Sequence, residues 1–377
     1  MKTNRTCSLV RIRVWMLLWL VAAAWLVASL VRRRRGARPA SRGEPRAGRL
    51  VPPAAPEAQA LPAVEAPAAR EIRPLEEVKL KPAEEPKAPA ALPAAKWKEL
   101  EPTDASDPVP HQVHLSREGA PGWALAGASR RGKMHAHQGS YREDAFAFDV
   151  IGPWHLAAVS DGAGSARLSR VGSRLAVEAA VTAVKRTLAA EPYPSSEQVG
   201  QALDRALRAA HAAVCAEAKR RERPPNDLAA TFLFLVHGVV LREHVVGAIQ
   251  VGDGLIAVQC QDGSLEPLAE RDSGTFAGET YFLTSRPLEA WLGRGVVRRL
   301  EKPPQLLVAM TDGVADDFFP YGTYLAPLFK ALANVIAGSA GDTSGDAGQA
   351  LLDLIGYEKR GSFDDRTVVM IYQQPAR

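Results

Sequence analysis

Apolar residues in the second half of the chain form short runs of strand length and two longer runs with helical spacing. The short runs predict buried strands at residues 145–150, 155–160, 231–236, 245–251, 255–259, 306–311 and 367–372. Apolar residues three and four apart predict helices over residues 168–190 and 197–220, and Ser195 with Gln198 predicts a capping box that opens the second helix. Many strands, often in hairpin order, with two long adjacent helices favour layered α+β architecture over alternating βαβ units.

The N-terminal pattern is different, because residues 14–31 form an uncharged apolar run of 18 residues. As a helix this run would extend about 27 Å, enough for the core of a bilayer, so we predict one transmembrane helix. A cleaved signal peptide and a buried helix are the alternatives, and the arginine block at residues 32–35 argues against export. Arginines are more numerous after the run than before it. This predicts an outer tail at residues 1–13 and a single-pass protein of the inner or plasma membrane, with the bulk of the chain in the cytoplasm.

Residues 32–114 are first basic and then rich in Pro and Ala, with 15 of the chain's 28 prolines between Pro39 and Pro110. Few aromatic residues and no sustained period predict a disordered linker that tethers the rest of the chain to the membrane. The remaining residues, 115–377, suit one globular domain.

The chain has a formal net charge of +5, but its first 50 residues hold 12 Lys and Arg and one Glu, a net charge of +11. The rest therefore carries about −6, so the folded part offers no basic surface and we expect no nucleic-acid partner. An arginine cluster can also bind nucleic acid or act as a localisation signal, although its place beside an apolar span favours a topological role. Cys7, Cys215 and Cys260 show no paired spacing, as expected of a reducing compartment.

Four acidic dipeptides lie next to predicted strands: Glu143-Asp144, Asp161-Gly162, Asp312-Gly313 and Asp364-Asp365. Carboxylates at the ends of apolar strands are costly unless they are solvated, paired or bound to a cation. Several that converge would suit a hard divalent metal, which prefers oxygen ligands. An Asp-Gly pair between strands usually marks a hairpin turn, and this interpretation fits Asp253-Gly254 well but fits the pairs at Asp161 and Asp312 poorly.

Seven segments carry a family pattern: GASRRGKMHAHQGSYREDAF at 127–146, AVSDGAGSARLSRVGSRLA at 158–176, DLAATF at 227–232, QVGDG at 250–254, GETYFLTS at 278–285, MTDGVAD at 310–316 and FDDRTVV at 363–369. In this order they resemble the metal-dependent serine/threonine phosphatases of the protein phosphatase 2C (PPM) family, especially its bacterial branch. The resemblance covers about residues 123–372. It implies a four-layer α-β-β-α sandwich of two antiparallel sheets flanked by helices.

The resemblance also implies a site for two Mn²⁺ or Mg²⁺ ions, with a third, weaker ion in many members, on seven residues: Glu143, Asp144, Asp161, Gly162, Asp253, Asp312 and Asp364. Asp161 would bridge the two ions, with the Gly162 carbonyl as a further ligand. Asp312 and Asp364 would complete the shell of one ion, and the acidic pair at 143–144 would serve the other. Asp253 would join Asp312 at the third ion, and the resemblance implies that residue 365 supports Asp364 instead of binding metal.

Two such ions can share a bridging water and lower its pKa, so that a hydroxide attacks phosphoserine or phosphothreonine in line. The implied protein is therefore a membrane-anchored phosphatase with a cytoplasmic catalytic domain. Its substrates would be phosphorylated proteins, and a Ser/Thr kinase would oppose it.

One departure from the family pattern concerns phosphate binding. Many members have an Arg five residues before Asp144, where this chain has Gly139. His135 matches a His of the bacterial branch, so it would bind phosphate or act as general acid, and Asp161 is the other candidate catalytic residue. A solvated loop histidine is the alternative for His135. A catalytically weak or inactive phosphatase fold that binds phosphoproteins as scaffold or sensor is the alternative function, whereas a two-metal nuclease would need a basic domain.

Overall fold

The computed structural model describes residues 97–191, 193–272, 280–341 and 346–375. The predicted outer tail, the predicted transmembrane run at 14–31 and most of the predicted linker lie outside these residues. Within the described ranges, no helix combines the length and the apolar character that crossing a bilayer requires.

Eleven strands form two antiparallel sheets in the described part of the chain. One sheet has six strands in the order β1-β2-β11-β10-β7-β8, and the other has five in the order β3-β4-β5-β6-β9. The strands are β1 (Gln112–Glu118), β2 (Trp123–Arg130), β3 (Ala145–Ile151), β4 (Trp154–Ser160), β5 (Phe232–Val240), β6 (Glu243–Val251), β7 (Leu255–Cys260), β8 (Leu265–Pro267), β9 (Val296–Leu300), β10 (Pro304–Met310) and β11 (Arg366–Gln373).

The described residues also include α-helices α1 (Lys133–Gln138), α2 (Ser169–Ala190), α3 (Ser196–Arg220), α4 (Asp312–Ala315), α5 (Tyr321–Gly341) and α6 (Ala347–Leu354). The capping box predicted for α3 is confirmed. The Ser195 hydroxyl accepts from the Gln198 N–H at 3.2 Å, and the Gln198 side chain accepts from the Ser195 N–H at 2.7 Å. Two backbone donors that have no partner inside the helix are thereby satisfied.

Three apolar cores separate the layers of the domain. Trp154 and Leu207 belong to the core between the five-stranded sheet and helices α2 and α3. Leu235 and Ile256 belong to the core between the two sheets, and Phe329 belongs to the core between the six-stranded sheet and helices α5 and α6. The expected α+β fold of two antiparallel sheets with flanking helices is therefore confirmed.

Residues 97–111, which we name the N-terminal strap, pack against the domain although their composition predicts a disordered linker. The Trp97 and Phe363 rings lie 4.6 Å apart between centroids, and Arg170 forms an ion pair with Asp104 at 2.7 Å. The packed domain therefore begins at or before residue 97, earlier than the boundary at 115 that composition predicts. The partners of these residues lie far along the chain, so local pattern gave no sign of them.

Three stacked histidines lie between the two sheets, next to the first residues of β4. The Nδ1 atoms of His155 and His237 lie 3.2 Å apart, and His237 Nε2 lies 3.2 Å from His244 Nδ1. The Ala120 N–H donates to His155 Nε2 at 3.0 Å, so the proton of that ring sits on Nδ1 and points to His237. Burial lowers the pKa of His155 to about 4 and the pKa of His237 well below its usual range. The rings are therefore neutral in the folded domain.

We expect this histidine cluster to make the domain acid-sensitive. The pKa of His155 is about 4 when folded and about 6.5 when unfolded, so the unfolded chain binds more protons at acidic pH. The contribution of His155 to stability is then full above about pH 6.5 and is lost as the pH falls towards 4, by on the order of 3 kcal/mol. Urea unfolding at pH 7.5, 6 and 5 measures the loss.

The matched comparison is His155→Gln, which should flatten this pH dependence, against His211→Gln on helix α3, which should leave most of it. An unchanged slope in His155→Gln would contradict the assignment of acid sensitivity to the cluster.

Candidate metal centre

The register of the five-stranded sheet brings two of the acidic dipeptides together. Ala145, the first residue of β3, pairs with Ser160, the last residue of β4. Asp144, which precedes β3, therefore lies beside Asp161, which follows β4. The two carboxyl groups lie close enough that the charge of Asp144 raises the pKa of Asp161. The side chains meet because both strands end at the same edge of the sandwich.

The six-stranded sheet brings the other two dipeptides to this edge. Asp312 follows the end of β10, and Asp364 precedes the start of the antiparallel neighbour β11. Thr311 links the two sheets, because its hydroxyl donates to Asp144 Oδ2 at 2.8 Å. All four acidic dipeptides therefore lie at one end of the sandwich.

The carboxyl groups of this cluster strongly disfavour their own ionisation. Burial raises the pKa of Asp161 well above its usual range, and the charges of Asp312 and Asp144 raise it further. Burial also raises the pKa values of Asp312 and Asp364, and it raises those of Glu143 and Asp144 to about 7. Like charges in a poorly solvated site produce this pattern, and a divalent cation among them would reverse it.

Buried oxygens without partners give an independent indication of a cation site. Glu143 Oε2, Asp144 Oδ1 and Asp253 Oδ1 are buried and accept no hydrogen bond from the residues that the structure describes. Buried acceptors are normally satisfied, and carboxylate oxygens are the ligands that Mg²⁺ and Mn²⁺ prefer. The donor set therefore fits the expected metal ions.

The side chains do not stand in a finished ligand shell. Among the described residues, no three His, Cys, Asp or Glu side chains converge on a single ion. Instead, Asp312 Oδ1 accepts from the Gly313 N–H and Asp364 Oδ1 accepts from the Asp365 N–H, each at 2.8 Å. Both donors are backbone groups one residue along, so an ion would displace only local hydrogen bonds. The ligand roles predicted from sequence, including that of the Gly162 carbonyl, stay predictions.

Asp253 does not lie in a hairpin turn, which corrects the interpretation favoured by its sequence. Strands β6 and β7 belong to different sheets, so Asp253-Gly254 connects one sheet to the other. The carboxylate accepts a hydrogen bond from Thr280, and its charge contributes to the raised pKa of Asp312. Asp253 therefore belongs to the acidic cluster.

His135 lies on helix α1, and its side chain is only 12% exposed. It is thus not the solvated loop histidine of the alternative interpretation. Its Nδ1 lies 2.9 Å from Asp365 Oδ1, and its Nε2 lies 3.7 Å from Glu143 Oε2. Burial alone would lower the pKa of His135, but the hydrogen bond and charge of Asp365, helped by the Glu143 charge, raise it to about 9. The ring is therefore a cation at neutral pH.

A cleft of about 390 Å³ opens beside this histidine, and its lining includes Asp161, Gly162 and Asp364. Arg142, the cation nearest in sequence to the acidic pair, is not available to this cleft. Its guanidinium donates to the Pro110 carbonyl and to the Ser129 hydroxyl in the interior. Among the cations near the acidic pair, His135 is the one that lines the cleft.

Asp365 organises the site through contacts that its sequence position did not reveal. Its Oδ1 accepts from the Gly132 N–H at 2.6 Å and faces His135, while its Oδ2 accepts from the Glu143 N–H at 2.6 Å. A Cβ on Gly132 would lie 2.4 Å from the Asp364 carbonyl oxygen, so the close approach requires glycine here. Asp365 therefore holds α1 and the segment before β3 in place, beyond the support of Asp364 that the resemblance implies.

We expect Asp365→Asn to loosen the site. The amide presents an N–H₂ group to at least one backbone N–H, so a buried donor loses its acceptor at a cost of about 1–3 kcal/mol. Urea unfolding measures the loss, and an exposed acid of helix α6 gives the control variant Asp353→Asn, which should cost little. A neutral result for Asp365→Asn would contradict the role assigned to its two oxygens.

Comparison with known proteins gives a family match and distant structural similarities. Residues 131–346, more than half of the chain, match the family model described as protein phosphatase 2C. No curated protein matches the chain.

Solved structures are similar only at low identity. RsbX in complex with magnesium shares 14% identity over 69% of this chain and 99% of its own, with a TM-score of 0.41. A bacterial serine phosphatase shares 14% identity over 67% and 98%, with a TM-score of 0.43. Serine-threonine phosphatase 2C from Toxoplasma gondii shares 15% identity over 70% and 99%, with a TM-score of 0.46. Because these scores are low, the assignment depends on the family model. The chain belongs to the protein phosphatase 2C family, whose members are serine/threonine phosphatases that use two metal ions.

Proposed function

We propose that this protein is a membrane-anchored, metal-dependent phosphatase that removes phosphate from phosphoserine and phosphothreonine in cytoplasmic proteins. The observation that carries the proposal is the cluster of carboxyl groups with raised pKa values and unpaired oxygens at the mouth of a cleft. Buried carboxyl groups with only a structural role would destabilise the fold, whereas two bound cations would make the cluster favourable.

The acidic residues would hold two Mn²⁺ or Mg²⁺ ions between the ends of the two sheets. Asp161 has the central place, because the charges of Asp312, Asp144 and Asp364 all act on it. When bound, such ions polarise the phosphoryl group and lower the pKa of an attacking water. The protein's own part is to fix the carboxylates on strand ends, which are rigid, and to keep like charges close before the ions bind.

His135 would act on the phosphate from the wall of the same cleft. Its pKa of about 9 keeps the ring protonated at neutral pH, so Nε2 can donate to a phosphoryl oxygen or to the departing serine or threonine oxygen. Asp365 orients the ring through Nδ1. This arrangement places a cation near the cleft in a chain that has Gly139 instead of the usual Arg.

Anchoring of the enzyme follows from the sequence alone. The apolar run at 14–31 and the +11 charge of the first 50 residues support a single-pass position in the inner or plasma membrane with the phosphatase domain in the cytoplasm. The Pro- and Ala-rich segment would let the domain reach phosphoproteins around its anchor, where a Ser/Thr kinase opposes it.

The first test is hydrolysis of a phosphothreonine peptide by the full-length protein with Mn²⁺. We expect Asp312→Asn to lower kcat/KM at least roughly 100-fold, because the site loses a charge that holds metal and substrate. Asp353→Asn should leave the activity unchanged. Turnover that survives both Asp312→Asn and chelation would refute the two-metal mechanism, and no turnover with Mn²⁺ demonstrably bound would favour the phosphoprotein-binding scaffold.

The second test separates metal binding from activity. Mn²⁺ at about 100 times its dissociation constant should stabilise the folded domain by about 2.7 kcal/mol, measured as a rise in melting temperature. Without metal, Asp161→Asn should melt higher than the unsubstituted protein, because a buried amide needs neither ionisation nor proton uptake among these acids, and it should lose most of the Mn²⁺ response. An equal Mn²⁺ response in both proteins would exclude Asp161 from the metal site.

A further inference from the structure

A second cavity of about 290 Å³ lies on the other side of helix α1 from the cleft. Its walls come from the N-terminal strap, the end of β2, the first turn of α1 and the segment before β11. Asp364 lines both this cavity and the cleft. We name it the basic cavity, because six Lys and Arg side chains line it and only three acids do. The six cations are Lys98, Arg130, Arg131, Lys133, Lys359 and Arg366.

Three of these cations have no carboxylate partner among the described residues. Lys98 and Arg130 make no side-chain hydrogen bond or ion pair there, although both line the cavity. Arg131 donates only to neutral carbonyl groups, those of Leu100 and Ser140. Lys133, by contrast, is neutralised by an ion pair with Glu358. The cavity therefore holds an uncompensated positive charge.

Two of the guanidinium groups are built into the wall. Arg131 and Arg366 are each only 9% exposed. Arg366 donates to the carbonyls of Ile355 and Tyr357 and lies 3.4 Å from an oxygen of Asp317, yet its buried Nε–H has no acceptor. These two guanidinium groups therefore hold positive charge within the wall of the cavity.

We propose that the basic cavity binds an anionic side chain of the substrate polypeptide, phosphorylated or carboxylic, next to the residue that is dephosphorylated in the cleft. This inference rests on the proposed phosphatase function, because it needs a phosphoprotein in the cleft. The shared wall at Asp364 lets one extended peptide enter both spaces, since each residue of such a chain advances about 3.3 Å. The enzyme then prefers multiply phosphorylated or acidic segments over isolated phosphoresidues.

A polypeptide side chain fits this cavity better than an anionic membrane surface does. A bilayer would contact exposed cations, whereas Arg131 and Arg366 lie within the cavity wall and are reached only by a group that enters. The guanidinium groups also present paired donors, which suit phosphate and carboxylate oxygens.

The test compares two phosphothreonine peptides with the full-length protein and Mn²⁺. One peptide carries a glutamate or a phosphoserine at successive positions two to four residues from the phosphothreonine, and the other carries alanine there. We expect kcat/KM to be about tenfold higher for the best anionic peptide, the effect of one good charge-assisted contact. In the double variant Lys98→Gln/Arg130→Gln the ratio should fall towards one.

Arg360→Gln is the matched control, because Arg360 is an exposed cation of the same segment that does not line the cavity. It should keep the preference of the unsubstituted protein. Lys98 and Arg130 form no side-chain hydrogen bond or ion pair with the described residues, so their replacement breaks no such contact. A ratio near one at every position in the unsubstituted protein, or an unchanged ratio in the double variant, would overturn the proposal.

Calorimetric titration with an acidic peptide that lacks phosphothreonine separates this inference from the proposed function. If the protein hydrolyses neither peptide, the phosphatase proposal fails. The calorimetric titration alone then tests whether the basic cavity binds an anionic peptide. Binding that weakens about tenfold in Lys98→Gln/Arg130→Gln but not in Arg360→Gln supports an anionic peptide site. Equal affinity in all three proteins overturns it, as does binding of soluble short-chain phosphatidylserine in place of the peptide.

Discussion

Repulsion among buried carboxyl groups is the constraint on which the arrangement of this domain depends. Asp161, Asp312 and Asp364 come from three distant parts of the chain. The charges of Asp312 and Asp364 raise the pKa of Asp161, and the charge of Asp364 raises the pKa of Asp312. Such a cluster persists only where the surrounding structure is rigid, and here both sheets are packed on apolar cores on either side. The three cores therefore stabilise the fold against an acidic edge that is unfavourable until cations bind.

Hydrogen-bond donors in the surrounding structure hold these carboxylates in place. Asp365 accepts hydrogen bonds from the N–H groups of Gly132 and Glu143. Thr311 connects the ends of the two sheets by donating to Asp144. These contacts fix the positions of the acidic side chains relative to the two sheets. They also connect the acidic edge to His135, because Asp365 contacts both.

The sequence predicted most of the buried strands well, although it missed the buried strand β2, and it predicted none of the exposed ones. Strands β3, β4, β6, β7, β10 and β11 match the predicted runs closely, because each is apolar along its length. Strand β1 is mostly exposed and β9 contains Arg298 and Arg299, so neither shows a strand pattern. The order of the acidic dipeptides indicated the metal centre, but the burial of His135, the hydrogen bonds of Asp365 and the packing of the strap all depend on tertiary contacts that no local pattern contains.

The place of the last strand has a consequence for how the protein is made. Strand β11 is the final element of the described chain, yet it lies between β2 and β10 in the middle of its sheet, and it is preceded directly by Asp364. During synthesis on the ribosome, β2 therefore lacks its neighbour in the sheet until β11 has been synthesised. A prematurely terminated product lacks the strand that joins the two halves of the sheet and lacks a central acid of the metal centre. A chain that stops before β11 therefore completes neither the six-stranded sheet nor the acidic edge.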